Sequence, residues 1–532
     1  MKTKQQNRGR PNGLFRAALL FVLGGMSMLA QPLNGEAKVQ TGTEQPLNFI
    51  NILVDDMGYS DIGCMGGPVE TPHLDKLAKS GILFTDYRTY PKCSPTRDAI
   101  MTGMDAPPVR TAKDGITLAE ALKPAGYGTY FVGKAHGSVI GKIQTAIKRG
   151  FDRSFGNTAG GNFWDPTKLP SYLDGKRWNT DEPFYKTDVH TDFAINFLEE
   201  NGAEKPFFLH LAYHAPHFPI HAKQEDINKY AGKFMEGPSA LRRKRFAHMK
   251  AMGVLPEGTA LAPDFTEMAN AWAQLPKEKK EFYDRVMAGY CAMIDSVDQN
   301  IGRLLAQLDK MGVRENTVIF FSSDNGGCAE GGEGIWPGHW DERFGRKYDR
   351  NAELGGENSH WQVGQAWAHV SNTPLREWKS ISHEGGLSVP FIVNAPAIIK
   401  SRGQINRKPV MVMDIMPTIL DLAHVTYPEV YHGRTIKAMR GVSLQPLFEG
   451  KETDLSRPIH FFYKETAAYI EYPWKIVTKD MESFELYNLE KDRTELNNLA
   501  AQMPEKLNTL KAAMQDYRKM PLTNKKVIKN RK

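Results

Sequence analysis

Four short apolar runs, each ending abruptly in polar or ionisable residues, constrain this chain more than any other feature. Phe49-Ile50-Asn51-Ile52-Leu53-Val54 runs into Asp55-Asp56, and Thr129-Tyr130-Phe131-Val132 into Gly133-Lys134-Ala135-His136. Phe207-Phe208-Leu209-His210-Leu211-Ala212 leads to His214 and His217. Thr317-Val318-Ile319-Phe320-Phe321 ends in Ser322-Ser323-Asp324-Asn325-Gly326-Gly327. Runs of this length and composition suit strands buried on both faces, the pattern of parallel sheets. Helical periodicity lies between them, most clearly at Val286, Met287, Tyr290, Met293, Ile294, Val297, Ile301, Leu304 and Leu305, with Gly312 as the stop. The alternation predicts an α/β fold, a large and mainly parallel sheet sandwiched by helices. Ligands in such sheets collect beyond the carboxyl ends of the strands. The polar groups at the four run ends therefore converge on one crevice.

Beyond the fourth run the texture changes. Glu330 to Ser371 is rich in Gly and Trp, with Trp336, Trp340, Trp361 and Trp367 and little regular period. It reads equally as a binding loop or as a self-packed surface loop. Lys379 and His383-Glu384-Gly385-Gly386 follow, then a strand-like Pro390-Phe391-Ile392-Val393 and a helix over Val410 to Leu422. Ile459 to Tyr463, Ala468 to Ile470 and Trp474 to Val477 read as short strands joined by turns. Phe484 to Leu489 precedes an amphipathic helix from Pro504 to Tyr517. Consecutive strands followed by a helix predict a smaller C-terminal α+β subdomain with an antiparallel sheet.

The first residues read as an address rather than as fold. Lys2, Lys4, Arg8, Arg10 and Arg16 precede an apolar stretch from Ala17 to Ala30, and Gly35-Glu36-Ala37 offers small residues for cleavage. This is the pattern of a secretory signal peptide over 1–37. It implies an exported, periplasmic or secreted protein with no stable membrane insertion, since no second apolar span follows. Without the leader, the net charge of +7 falls to about +3, which argues against nucleic-acid binding. The expected organisation is a catalytic α/β domain over 38–452, the smaller subdomain over 453–521 and a solvated basic tail over 522–532. Four cysteines, Cys64, Cys93, Cys291 and Cys328, are too few for a disulfide scaffold.

Two clusters carry chemistry. Asp55-Asp56 and Asp324-Asn325 pair oxygen donors at two strand ends, a set suited to a hard cation, Ca²⁺ or Mg²⁺, rather than zinc. In Pro91-Lys92-Cys93-Ser94-Pro95-Thr96-Arg97 a cysteine stands just before a predicted helix, with Pro95 in its first turn and Arg97 four residues on. A helix start attracts anions and lowers a thiol's pKa, so Cys93 reads as reactive beside a bound anion, or else as a buried structural cysteine.

Cys93-Ser94-Pro95-Thr96-Arg97 followed by Met101-Thr102-Gly103 resembles the signature of the type I sulfatases, which have an alkaline-phosphatase-like fold. The resemblance extends over nearly the whole mature chain. It takes in Asp55-Asp56-Met57-Gly58-Tyr59, Thr71-Pro72-His73-Leu74-Asp75, Gly126 to His136, Ala215-Pro216-His217-Phe218-Pro219 and Ser323 to Gly327. It continues through Lys379 five residues before Glu384-Gly385-Gly386, and Glu485 to Ala500. The insert from Ala222 to Gly312 looks most like that of bacterial arylsulfatases. Two positions depart from the pattern: Ala135 stands where a large residue is usual, and Lys92 is an unusual neighbour for the cysteine.

The resemblance implies a sulfuric ester hydrolase whose Cys93 is converted to Cα-formylglycine by a maturation enzyme. Asp55, Asp56, Asp324, Asn325 and residue 93 would hold one Ca²⁺. The hydrated aldehyde would attack sulfur. His217, helped by Lys379, would protonate the leaving alcohol, and His136 would take the proton that restores the aldehyde. Arg97 and Lys134 would hold the hydrate and the anion. Of the other histidines, His210 and His221 read as ordinary core or surface residues, and His214 as either that or a substrate contact. The expected substrate is a sulfated small molecule or glycan. A phosphoester or phosphonate monoester hydrolase of the same superfamily is the nearest alternative, because fold does not fix the ester. An exported glycan-binding protein with an idle site is an alternative of another class.

Overall fold

The computed structural model describes residues 45–105, 115–168, 170–330 and 351–519. The leader, the basic tail, Trp336 and Trp340 lie outside the described residues. Ten described strands form the main sheet. From edge to edge they are Gln404–Asn406, Ile82–Phe84, Phe391–Asn394, Thr317–Ser323, Asn48–Val54, Phe207–Ala212, Gly128–Lys134, Arg153–Asn157, Ser171–Leu173 and Lys176–Trp178. The five strands from Thr317 across to Asn157 run parallel. Phe391–Asn394 runs against both of its neighbours, and the hairpin from Ser171 to Trp178 closes the far edge antiparallel.

All four apolar runs are central strands, and every residue of Asn48–Val54 is buried. Its side chains alternate between two cores, as the pleat demands. Ile50, Ile52 and Val54 join the core beneath the helices Lys186–Asn201 and Lys277–Lys310. Phe49 and Leu53 join the opposite core, with Ala99, Leu118 and Ile415. The predicted helix around Val286 to Leu305 runs from Lys277 to Lys310 and stops at Gly312, whose φ is +70°.

Register brings the strand ends to one level. Val54 pairs with Ser323, Leu53 with Ala212, and Gly133 with Ala212. At Gly133, φ is +111° and an added Cβ would lie 1.9 Å from the Ala212 carbonyl oxygen. Only glycine lets these strands approach so closely just before Lys134.

The last part is a four-stranded antiparallel sheet, Ile459–Tyr463, Thr466–Glu471, Trp474–Thr478 and Phe484–Asn488 in sequence order. One face takes Leu510 and Met514 of the helix Pro504–Lys519, and the other adds Ala468, Ile470 and Val477 to the main core. At this junction Lys475 is fully buried between Glu384 at 2.9 Å and Glu495 at 2.7 Å. Arg88 Nη2 reaches Glu384 at 2.9 Å, and Arg493 Nε approaches it at 3.4 Å. Burial works to raise the Glu384 carboxyl, but Arg88, Lys475 and Arg493 hold it well below its ordinary range. Breaking a buried ion pair from one side strands the other. Lys475→Met is therefore expected to cost about 3–5 kcal/mol of stability. Denaturant unfolding checks this, and an unchanged midpoint would remove the network's structural role.

Two expectations change. The helix placed over Val410 to Leu422 begins only at Ile415, because Val410–Met411 pairs in parallel with Tyr87–Arg88. Asp414 then turns the chain, accepting from Met411 N at 2.9 Å and Val442 N at 2.8 Å. The described part of the Trp-rich segment is not all loop, since Gly364–Ser371 is a helix. Trp367 is fully buried on the helix Gly364–Ser371 and packs edge-on against Trp272 and Phe234. All four cysteines are free thiols.

Candidate active site

Asp55 and Asp56 leave the central strand in a tight turn. Asp55 N donates to Ala215 O at 3.1 Å, Asp56 N to Asp324 Oδ1 at 3.3 Å and Met57 N to Ser323 Oγ at 3.0 Å. These bonds hold Asp56 at φ +68°, a conformation a side chain adopts only when its surroundings impose it. Behind the turn, Tyr290 OH donates to Asp61 Oδ2 at 2.8 Å and lies 3.2 Å from Asp56 O. Arg245 Nη1 pairs with Asp61 Oδ1 at 3.0 Å. The sequence pattern marked Tyr290 only as part of an apolar helical stripe, so this support was not visible there.

Cys93 is the first residue of the helix Cys93–Thr102, and Pro95 sits in its first turn. The thiol lies 3.4 Å from Asp55 Oδ1 and 3.9 Å from Asp56 Oδ1. One ligand atom from each of Asp55, Asp56, Cys93 and Asp324 falls within 4.8 Å of the others, and all four residues are buried. The helix start does not lower this thiol's pKa as its position predicts. Burial, with the charge of Asp324, pushes it up.

Three cations face the three carboxylates. Arg97 Nε donates to Asp324 Oδ2 at 2.9 Å and its Nη1 to Lys134 O at 2.9 Å. Lys134 Nζ pairs with Asp55 Oδ2, and Lys379 Nζ with Asp56 Oδ2 at 2.7 Å. Burial works against charge on Asp55 and Asp56, yet these cations keep both carboxyls below their ordinary value. Asp324 goes the other way, raised to about 6 by burial and by the charge of Asp55. Asn325 Nδ2 donates to Asp56 Oδ1 at 2.7 Å, while its buried Oδ1 has no hydrogen-bond partner. An oxygen-rich cluster with a spare acceptor and a raised carboxyl fits a hard divalent cation.

His217 Nε2 lies 3.5 Å from Asp56 Oδ2 and 3.4 Å from Lys379 Nζ, and Nδ1 is fixed against Phe218 O at 2.6 Å. Burial lowers its pKa against the pull of Asp56. His136 stands two residues past Lys134, on a loop tied down by Asp98, which accepts from Ser138 N at 2.9 Å and Val139 N at 2.8 Å. Burial, with Lys134 and Arg97, lowers His136 to about 3, and its buried Nδ1 has no hydrogen-bond partner. Its imidazole is held neutral. The structure thus brings all ten predicted residues to one crevice. His210, His214 and His221 are buried: His210 meets Asn51 at 3.0 Å, His214 Nε2 meets Ala159 O at 2.9 Å, and His221 meets Ser359 O at 2.8 Å.

The loop carrying Lys379 is clamped from several sides. Lys379 N donates to Gly327 O at 3.1 Å and Ser380 N to Pro91 O at 2.6 Å. Ser382 N donates to Thr466 Oγ1 at 2.9 Å, and Arg376 Nη1 to Glu495 O at 2.7 Å. The C-terminal sheet thereby helps to fix the Lys379 ammonium. Glu330 Oε1 lies 3.7 Å from Lys379 Nζ and pairs with Lys92. Burial would raise the Glu330 carboxyl, but Lys379 and Lys92 bring it to about 2.

Residues 47–425 match the family profile described as Sulfatase, and residues 378–520 match that described as N-sulphoglucosamine sulphohydrolase, C-terminal. An arylsulfatase from Klebsiella aerogenes is 30% identical over 470 residues, covering 82% of this chain and 96% of its own. An N-acetylglucosamine-6-O-sulfatase from Bacteroides thetaiotaomicron is 25% identical over 526 residues, covering 86% and 83%. The solved structure of Ps i-CgsB in complex with k-i-k-neocarrahexaose has the same fold, with a TM-score of 0.64 at 24% identity over 89% of this chain and 93% of that one.

Proposed function

The chain belongs to the sulfatase family and is a sulfuric ester hydrolase, and from that premise we propose that it cleaves sulfate monoesters of carbohydrates through Ca²⁺ and a formylglycine made from Cys93. The observation that carries this reading is the buried cluster of Asp55, Asp56, Cys93 and Asp324 ringed by Arg97, Lys134 and Lys379. Asp55, Asp56, Asp324, Asn325 and residue 93 would hold the Ca²⁺, which when bound stabilises charge on a sulfate oxygen and on the nucleophile. The hydrated aldehyde supplies that nucleophile. A carbohydrate alcohol is supported by the N-acetylglucosamine-6-O-sulfatase among the relatives. The leader read over 1–37 supports an exported enzyme, matured by a formylglycine-generating partner.

The chain's own residues do the rest. Three carboxylates against three cations leave the crevice nearly neutral, so one divalent cation makes it positive and able to hold an anionic ester. Arg97 and Lys134 orient the anion and residue 93. His217 and Lys379, 3.4 Å apart, hold a proton where the leaving oxygen departs. His136, neutral and with a buried Nδ1 that has no hydrogen-bond partner, takes the proton that restores the aldehyde.

Elemental analysis of the matured protein is expected to find one Ca²⁺ per chain and no tightly bound zinc. Chelation should abolish turnover, and Ca²⁺ should restore it. Turnover of an aryl sulfate is expected to exceed that of the matching aryl phosphate. A bound zinc pair with faster phosphate turnover would replace this reading with a phosphoesterase.

A further inference from the structure

A chain of buried polar groups lies behind the turn that carries Asp56, with Asp61 at its centre. Asp61 Oδ2 accepts from Gly58 N at 2.9 Å and from Tyr290 OH at 2.8 Å. The Tyr290 proton is shared with Asp56 O, which is farther at 3.2 Å. Asp61 thus grips the peptide on both sides of Met57: Gly58 N directly, and Asp56 O through the phenol. On its other side, Asp61 Oδ1 pairs with Arg245 Nη1 at 3.0 Å. The same guanidinium nitrogen donates to Val370 O at 2.9 Å, and Ser60 N donates to Ser371 O at 2.9 Å. The turn is also pressed against the end of the helix Gly364–Ser371, where a Cβ added at Gly58 would lie 2.5 Å from Ser371 O. Tyr290 belongs to the helix Lys277–Lys310 and Arg245 to the helix Pro238–Ala251, so both come from the insert between Ala222 and Gly312. Neither has a part in the chemistry described above.

We propose that Tyr290, backed by Asp61 and Arg245, is a positioning residue for the divalent cation: it holds the Asp56 backbone in its binding conformation before the ion arrives. The inference rests on the metal reading above. Asp56 has φ +68°, a conformation costly for a residue with a side chain, so an unsupported turn would spend much of its time in other arrangements. An ion that binds one arrangement loses affinity in proportion to the fraction of protein held in the others. The carboxylate of Asp61 makes the clamp strong, because hydrogen bonds to a charged acceptor are about twice as strong as neutral ones. Arg245 supplies the countercharge that this buried carboxylate needs. The insert would then serve the metal from behind, without contributing a ligand.

The test is calorimetric titration of Ca²⁺ into chelator-stripped matured protein, with thermal unfolding of each stripped form alongside. Tyr290→Phe keeps the ring and removes the hydroxyl. Its Kd for Ca²⁺ is expected to rise about tenfold. Its kcat at saturating Ca²⁺ should stay within about threefold of wild type, since the bound ion restores the turn. Tyr230→Phe is the control. It removes another buried hydroxyl of the same insert, one that donates to Asp295 Oδ2 at 2.8 Å, and should leave the Kd within about twofold whatever it does to unfolding. If Tyr290→Phe does not fold, Arg245→Lys keeps the charge beside Asp61 and shortens its reach to Val370. It should raise the Kd about threefold. An unchanged Kd in the folded variant, equal rises in Tyr290→Phe and Tyr230→Phe, or a kcat deficit that saturating Ca²⁺ does not restore overturns the positioning role alone. A wild type that takes up no Ca²⁺ overturns the metal reading, and the positioning role with it.

Discussion

Cys93→Ala is expected to abolish multiple turnover of every sulfate ester while leaving the fold intact. The thiol is buried at the first position of a helix and lies against the Asp55 and Asp56 carboxylates. It is held protonated, so its removal strands no charge, and alanine suits a helix. Loss of a nucleophile costs on the order of 10⁵-fold or more in comparable hydrolases. Cys93→Ser should not restore turnover, because a serine offers one hydroxyl where a hydrated aldehyde offers two. Mass spectrometry of the peptide containing residue 93 supplies the second readout. Conversion of thiol to aldehyde lowers the mass by about 18 Da, and activity should scale with the converted fraction. Sustained turnover by wholly unconverted protein, or by Cys93→Ser, would refute the proposed nucleophile.

The second large effect belongs to His217→Ala, and it should depend on the leaving group. Protonating a departing alcohol is worth about 10²–10⁴-fold when the alcohol is a poor leaving group, and little when an activated phenol departs as its anion. His217 stands against both Lys379 and Asp56, the only one of the three that reaches solvent appreciably. The variant should therefore lose kcat by that range on sulfated sugars and by far less on a nitrophenyl sulfate. An equal loss of kcat on both would take the acid role away from His217.

The parts legible in the sequence are those whose signal is local. Asn48–Val54 and its neighbours announce themselves as continuous apolar runs because both faces are buried. Their polar ends follow in the next two residues, so Asp55, Asp56, Asp324 and Asn325 are found together with the strands. Short or edge strands give no such signal. Ser171–Leu173 and Lys176–Trp178 are three residues each, half polar, and defined by their hairpin partner. Ile82–Phe84 is a strand only because Phe391–Asn394 and Gln404–Asn406 flank it. The thiol pKa of Cys93 failed to follow helix position because burial outweighs the helix start, and burial is set by residues far along the chain. Lys475 carries no local signal of its role, since its partners Glu384 and Glu495 lie far from it in sequence. Lys92 is an unusual neighbour for the cysteine in sequence, but its partners Glu330 and Tyr463 emerge only in three dimensions.

The clamp on Lys379 has a consequence in time. Pro91, beside the cysteine, receives its bond from Ser380, and the loop bearing Ser380 is braced by Thr466 and Glu495. A chain emerging from the ribosome carries Cys93 long before any of those residues exists. At about 5–20 residues per second the interval lasts on the order of tens of seconds. During it, none of the residues that brace the loop beside the helix start is present. Once the last strands arrive, the same cysteine is only 1% exposed. If residue 93 is to be modified by another protein, the interval before those strands are made is when this brace is absent. Slowing the arrival of the C-terminal sheet should widen the opportunity for modification, and hastening compaction should narrow it.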